Sequence, residues 1–200
     1  MIWYDGKMNR STIDHIVEDL HVWEVIHNYI PPEKCKEIIK NREYWNVSKG
    51  MVFNDGPREL ITDARDVTQF TPGGELNWLI DQVWSTVQRL NTKYWKFDIE
   101  GLIERPTLLH YEEKGHYVWH MDVGKINFSS QRKLSFVLLL NDEFEGGNLR
   151  IFLGGTNDQV IPLSVGSLVV FPSYMLHTVE EVTKGNRYVY QGFIDGNSFR

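Results

Sequence analysis

After residue 96 the chain is a succession of short apolar segments, each closed by a turn. Segments rich in Val, Leu, Phe and Tyr run over 107–111, 117–123, 133–140, 148–153, 167–171, 177–182 and 187–194. Asn141-Asp142, Gly146-Gly147, Gly154-Gly155, Gly166 and Gly185-Asn186 punctuate them. β-Branched and aromatic side chains fit a pleated surface, while glycine and asparagine supply turn conformations. No helical stretch separates these strands, and parallel strands need a long crossover between them. They must therefore pair antiparallel in a sandwich or barrel, for which a jelly roll is the natural form at this length.

Ahead of the strands the pattern changes. Leu76, Leu79, Ile80, Val83, Trp84, Val87 and Leu90 recur at three- and four-residue steps, one apolar face of a helix over about 72–91. Thr71 and Pro72 offer its N-cap and first position. Pro31-Pro32 opens a shorter helix carrying Cys35, Ile38 and Ile39, and 21–27 alternates loosely as a strand. With no repeat, low-complexity tract or linker, the 200 residues are expected to form one mainly β (α+β) domain. In it, a helical support region over 1–95 buttresses a jelly-roll core over 96–197.

Composition removes several function classes. Lys and Arg number 21 against 27 Asp and Glu, a formal charge of −6. Binding to a phosphate backbone draws its affinity from clustered cations, so no nucleic-acid partner is expected. The single cysteine, Cys35, excludes a disulfide within these residues and a Cys-rich zinc knuckle, and reads as a small buried hydrophobe. Charged residues interrupt the first 20 positions, and no run of about 18 apolar residues occurs. Neither a secretory leader nor a membrane span is expected, and the reducing cytoplasm is the expected setting.

Seven histidines invite a search for metal ligands. His120 and Asp122 stand two apart on an expected strand, so imidazole and carboxylate share one face. His177 begins a later strand, 55 positions after Asp122. Two histidines and one carboxylate on one side of an ion form the facial triad of non-haem Fe(II) oxygenases, with positions left open for other ligands. Taken alone the pair is weak evidence, because hydrogen-bonded His and Asp are common. Arg187 follows His177 by ten residues, and its planar fork suits a carboxylate, although an arginine after a glycine turn is most often a surface residue.

The wider text is more specific. Tyr111-x-x-x-Gly115-x-Tyr117-x-Trp119-His120-x-Asp122 is followed by Arg132-Lys-Leu-Ser135, Glu145-Gly-Gly-Asn-Leu149, Gly166-Ser-Leu-Val-Val-Phe-Pro-Ser173, His177 and Val182-Thr-Lys-Gly-Asn-Arg187-Tyr. With Asn91-x-x-Tyr-Trp-x-Phe-Asp98 ahead of it, this order resembles the prolyl 4-hydroxylase-like group of Fe(II)/2-oxoglutarate dioxygenases, and within it the PKHD-type branch. The resemblance covers about 91–193. It implies a double-stranded β-helix (jelly roll) with iron held by His120, Asp122 and His177 and with Arg187 on the C5 carboxylate of 2-oxoglutarate. Tyr111 and Tyr117 match positions that contact this cosubstrate, and Phe193 matches a pocket wall; sandwich core is the alternative for all three. The implied reaction consumes O₂ and 2-oxoglutarate, releases succinate and CO₂ and hydroxylates an unactivated C–H, with ascorbate a candidate reductant. Halogenating relatives lack the carboxylate that Asp122 supplies. Some relatives place a second hydroxyl partner of the C5 carboxylate near Ser135, where this chain reads Leu-Ser-Phe-Val.

Substrate recognition is expected on loops. Trp119, Arg132 and 123–131 lie near the motif, and Arg65 or the loop 49–58 is placed to close over it. The group's best-known substrate is a prolyl residue in a peptide or protein. A free amino acid or other small molecule, and a cupin-like metal-binding module without oxygenase activity, are the alternatives. His110 and His116 are expected at the rim or in the sheet, and His15, His21 and His27 as ordinary polar side chains.

Overall fold

The computed structural model describes residues 20–53, 58–59, 61–125 and 127–198. His15 and residues 54–57 of the loop 49–58 lie outside them. The strands are β1 (Glu24–Ile26), β2 (Asn46–Lys49), β3 (Val52–Phe53), β4 (Arg58–Glu59), β5 (Arg65–Asp66), β6 (Thr68–Thr71), β7 (Thr107–Tyr111) and β8 (His116–His120). There follow β9 (Arg132–Leu139), β10 (Phe144–Gly146), β11 (Leu149–Gly154), β12 (Asn157–Val160), β13 (Leu168–Pro172), β14 (His177–Val179), β15 (Val182–Gly185) and β16 (Arg187–Asp195). Among the described residues two α-helices precede β7: α1 (Pro32–Asn41) and α2 (Asn77–Leu90). No described helix is long and apolar enough to cross a membrane.

A seven-stranded sheet runs β1-β13-β9-β16-β7-β6-β2 and a five-stranded sheet runs β12-β11-β14-β8-β5. All their pairings are antiparallel. The large sheet is covered on both faces, and strand alternation decides what each face carries. Leu134, Phe136 and Leu138 of β9, Leu168 and Val170 of β13, and Tyr190 and Ile194 of β16 pack against Cys35 and Ile38 of α1 and Leu79, Val83 and Val87 of α2. The opposite parity, with Leu109, Leu139, Val169, Phe171 and Val189, packs against Leu149, Ile151 and Val179 of the small sheet. Each fully buried large side chain contributes about 1.5–3 kcal/mol. The fold is the jelly roll expected, with Tyr111, Ser135 and Arg187 on the inward parity of the large sheet and His120 and His177 facing them from the small one.

The segment 1–95 is not a purely helical support. β1 adds to one edge of the large sheet, β6 and β2 extend the other, and β5 joins the small sheet. β1 falls within the strand expected over 21–27, whereas β2, β5 and β6 are two to four residues long and largely polar, as in Thr68-Gln-Phe-Thr71, and carry no alternating signal. Thr71 pairs with Asn46 rather than capping a helix, and α2 starts only at Asn77, after a 3₁₀ turn over Gly74–Leu76. The strand expected over 117–123 stops at His120, and 177–182 divides into β14 and β15.

Gly166 fixes the approach of the N-terminal segment to the large sheet. Its φ is +75°, a Cβ there would lie 2.1 Å from the Ile30 carbonyl oxygen, and its own carbonyl accepts the Tyr29 and Ile30 amides. Gly166→Ala is expected to cost at least ~2 kcal/mol from left-handed strain and the clash. Urea unfolding checks this through a lower midpoint at unchanged slope.

Candidate active site

Pairing of β14 with β8 sets His177 opposite His120 and Val179 opposite Tyr117. Two residues on β14 thus span three on β8, a bulge that turns His120 and Tyr117 toward the same side. Their rings stack at 3.4 Å between centroids. The His120 and His177 rings lie 4.1 Å apart. Trp119 is directed elsewhere: it is 43% exposed, packs edge-on against Phe152 and does not line the cavity.

Asp122 sits just past the end of β8, held from the large sheet. Its amide and that of Val123 donate to the Ser173 carbonyl. Ser135 Oγ donates to Asp122 Oδ2 at 2.6 Å and lies 2.9 Å from Ser173 Oγ. His120 Nε2 is 3.6 Å from Asp122 Oδ1, and His177 Nε2 is 3.5 Å from Oδ2. One ligand atom from each residue falls within 4.8 Å of the others. Both imidazoles use Nδ1 on a backbone carbonyl, Val118 for His120 and Met175 for His177. That contact assigns the proton to Nδ1 and leaves the Nε2 lone pairs facing the carboxylate.

Electrostatics agree with this donor set. Burial pushes the His177 imidazole down to about 4, against the pull of Asp122, so it is neutral at pH 7. Burial also raises the Asp122 carboxyl, but His177, His120 and the Ser135 hydroxyl outweigh it and hold the group well below the usual range. Two imidazoles that present Nε2 and one carboxylate, converging from one side, are suited to a divalent ion with open positions.

Arg187 opens β16 opposite Tyr111 of β7 and is 2% exposed. Its guanidinium lies 5.2 Å from the centre of the Tyr111 ring, and Nη1 has no hydrogen-bond partner among the described residues. Burial lowers its pKa, as expected of a cation taken out of water. Gly147, with φ +61°, makes room for it, since a Cβ there would lie 2.8 Å from Arg187 Cδ. A buried guanidinium nitrogen without a partner is costly unless an anion completes it, and a carboxylate matches its fork. Burial raises the Tyr111 hydroxyl and pushes Tyr117 up to about 12, so both remain donors.

These groups share one cavity of about 540 Å³, lined also by Arg65, Arg132 and Phe193. Arg132 is largely committed: it pairs with Glu104, donates to the Asp122 carbonyl at 3.0 Å and lies 3.5 Å over Phe193. It serves the backbone of the triad more directly than a substrate. His110 bonds Asn186 and stacks on Tyr188, while His116 lies between the Lys114 and Asp63 carbonyls. Neither lines the cavity.

Residues 106–195 match the model of the 2OG-Fe(II) oxygenase superfamily. A PKHD-type hydroxylase of Synechococcus sp. strain CC9605 is 32% identical over 129 residues, 64% of this chain and 58% of that protein. One from Prochlorococcus marinus strain NATL2A is 40% identical over 81 residues, 40% of this chain and 36% of that protein. Over these segments the chain resembles the prolyl 4-hydroxylase-like 2OG-Fe(II) oxygenases. The chain spans about half the length of the curated relatives it matches. A Pseudomonas putida prolyl-4-hydroxylase superposes with a TM-score of 0.71 at 16% identity, over 94% of this chain and 98% of that one. A Trichoplax adhaerens prolyl hydroxylase, solved with a hypoxia-inducible-factor peptide fragment, gives 0.73 at 18% identity, over 87% and 83%. At these identities the likeness is one of fold. The family implies Fe(II), 2-oxoglutarate and O₂, and the His-Asp-His cluster and the incomplete guanidinium fit the first two.

Ser135 is the member of this site whose task was not foreseen. Its hydroxyl is spent on Asp122 and Ser173 rather than on a second contact to a cosubstrate carboxylate. The available signal was a hydroxyl buried in an otherwise apolar strand, which demands a partner. Ser135→Ala is expected to weaken Mn(II) or Co(II) binding roughly 10- to 100-fold, as loss of a support to a ligand carboxylate does. Calorimetric titration of the folded variant checks it, and wild-type affinity would contradict the assignment.

Proposed function

We propose that the chain is an Fe(II)- and 2-oxoglutarate-dependent dioxygenase that hydroxylates an unactivated C–H of a prolyl residue in a peptide or protein. The observation carrying this reading is the shared cavity: a three-residue metal donor set and a buried, incompletely bonded Arg187 face the same space. His120, Asp122 and His177 would hold the metal. Arg187, beside Tyr111, would hold the distal carboxylate of 2-oxoglutarate. When bound, iron supplies O₂ activation coupled to conversion of 2-oxoglutarate into succinate and CO₂, with ascorbate as the reductant that keeps it ferrous.

The chain's own residues act by placement. Backbone carbonyls fix the imidazole tautomers, Ser135 and Ser173 fix the carboxylate, and Tyr117 covers His120. Leu109, Leu149, Val179 and Val189 line the cavity with hydrocarbon and limit water. The cavity is also lined by half-buried Gln69, Thr71, Thr107 and Gln191. Neutral amides and hydroxyls along strand faces suit peptide groups, and they favour a peptide over a free small molecule. A metal-binding module without oxygenase activity would leave the cost of burying Arg187 without a purpose. A reducing, cytoplasmic setting completes the reading. Cys35 is buried and its thiol is pushed up to about 11, leaving the chemistry to nitrogen and oxygen ligands.

Anaerobic addition of Fe(II) and then 2-oxoglutarate should give a visible charge-transfer band that is absent in His120→Ala. Arg187→Ala should weaken 2-oxoglutarate binding roughly 100-fold or more, by loss of a buried charge pair. Arg187→Lys should recover part of it, since the charge remains without the fork. No band in the wild type would refute the oxygenase reading.

A further inference from the structure

The cavity's charge is unlike that of the chain. Its lining carries five cations, Lys49, Arg65, Arg105, Arg132 and Arg187, against two anions, Glu104 and Asp122, in a chain of formal charge −6. Most of that charge is already committed. Arg132 is neutralised by Glu104, and Arg105 donates to the Pro72 and Gly73 carbonyls and to Asn77. Exposed Lys49 bonds Thr68 at the outer rim. Asp122 belongs to the metal donor set and Arg187 to the cosubstrate.

Arg65 is left. β5 pairs with β8 so that Arg65 stands opposite Tyr117, and its guanidinium lies 4.6 Å from the centre of the Tyr117 ring. The same ring stacks on His120. Arg65 Nη1 donates to the Met51 carbonyl, and its Nε is buried without a partner. Five N–H donors are thus served by one hydrogen bond among the described residues. Gly50 leaves the room this group occupies, since a Cβ there would lie 2.9 Å from Arg65 Nε. A cation–π contact and a close backbone hold the guanidinium still, one aromatic ring away from a metal ligand.

We infer that Arg65 is a specificity-determining residue that receives a carboxylate of the substrate, within about one residue of the C–H that is attacked. The inference rests on the hydroxylase reading above. 2-Oxoglutarate has two carboxylates, of which one goes to the metal and one to Arg187, so the anion at Arg65 comes with the substrate. Two sources carry this chemistry: an acidic side chain beside the target residue in a peptide, or the α-carboxylate of a free or C-terminal amino acid. Charge-assisted pairing to a fixed guanidinium sets the scale of the selectivity at roughly 10- to 100-fold.

Matched pairs test it on the protein loaded with Mn(II) and 2-oxoglutarate. Capped proline peptides with Asp or Glu beside the proline are compared with their Asn or Gln counterparts. Peptides ending in proline, and proline itself, are compared with their amides. Calorimetry reads binding, and mass spectrometry of the Fe(II) protein in air reads oxygen incorporation. The carboxylate member of at least one pair should bind roughly 10- to 100-fold more tightly, and the pair that separates identifies the source. Arg65→Gln should bring that pair within about twofold, and Arg65→Lys should retain part of the difference. A panel in which no pair separates, by equal binding or by none, overturns the inference. So does an Arg65→Gln variant that keeps the preference or loses 2-oxoglutarate binding instead. Separation in binding without oxygen incorporation into any member would refute the hydroxylase reading and leave the carboxylate site standing.

Discussion

The cross-strand pair His120–His177 is the contact on which the site depends. Two three-to-five-residue strands from distant parts of the sequence meet in one register, with a bulge between this pair and the pairing of Tyr117 with Val179. A shift of one residue would move an imidazole to the other face of the sheet. The bulge has a second effect: it spends the extra residue so that Tyr117 and His120, three positions apart, face the same way. One strand thereby delivers a metal-ligand candidate and the aromatic that covers it.

The third candidate ligand links the two sheets. His120 and His177 stand on the five-stranded sheet, whereas Asp122 is anchored by Ser135 of β9 and by Ser173 just after β13. The apolar layer between the sheets therefore also sets the spacing within the cluster. Packed interiors deform little, so that layer converts core volume into ligand geometry. It also explains why a hydroxyl is tolerated at position 135, between Leu134 and Phe136, which face the helices. Its parity points inward, and its hydrogen bonds are satisfied there.

How far the sequence reaches follows from the same geometry. The jelly roll was legible because each strand announces itself by apolar runs and glycine turns. The pair His120-x-Asp122 was legible because it is local. Arg187 could be singled out by type and by family resemblance, but its place opposite Tyr111 is a register between β16 and β7 that spacing does not encode. Trp119 was singled out for its nearness to the motif, but neighbours in a strand point to opposite faces, and beside His120 it does not line the cavity. Of the N-terminal edge strands β1 was expected, while β2, β5 and β6 were missed because a short polar strand such as Asn46–Lys49 forms only against an existing edge. Ser135 was noticed, but its partner became visible only in three dimensions.

Two guanidiniums facing one cavity, each with a buried nitrogen lacking a partner among the described residues, are a cost that a folded chain retains only where something offsets it. Their surroundings differ in kind. Arg187 stands on the large sheet, shut in by Tyr111 and Gly147, where a small dianion can enter end-on and be enclosed. Arg65 stands on the edge strand of the small sheet, partly open, where a larger molecule can place one charged group and extend outward. Enclosure suits a cosubstrate common to every turnover, and an open edge suits the ligand that varies. Sequence variation at β5 and in the segment before it can then alter selectivity without disturbing the cluster at His120, Asp122 and His177.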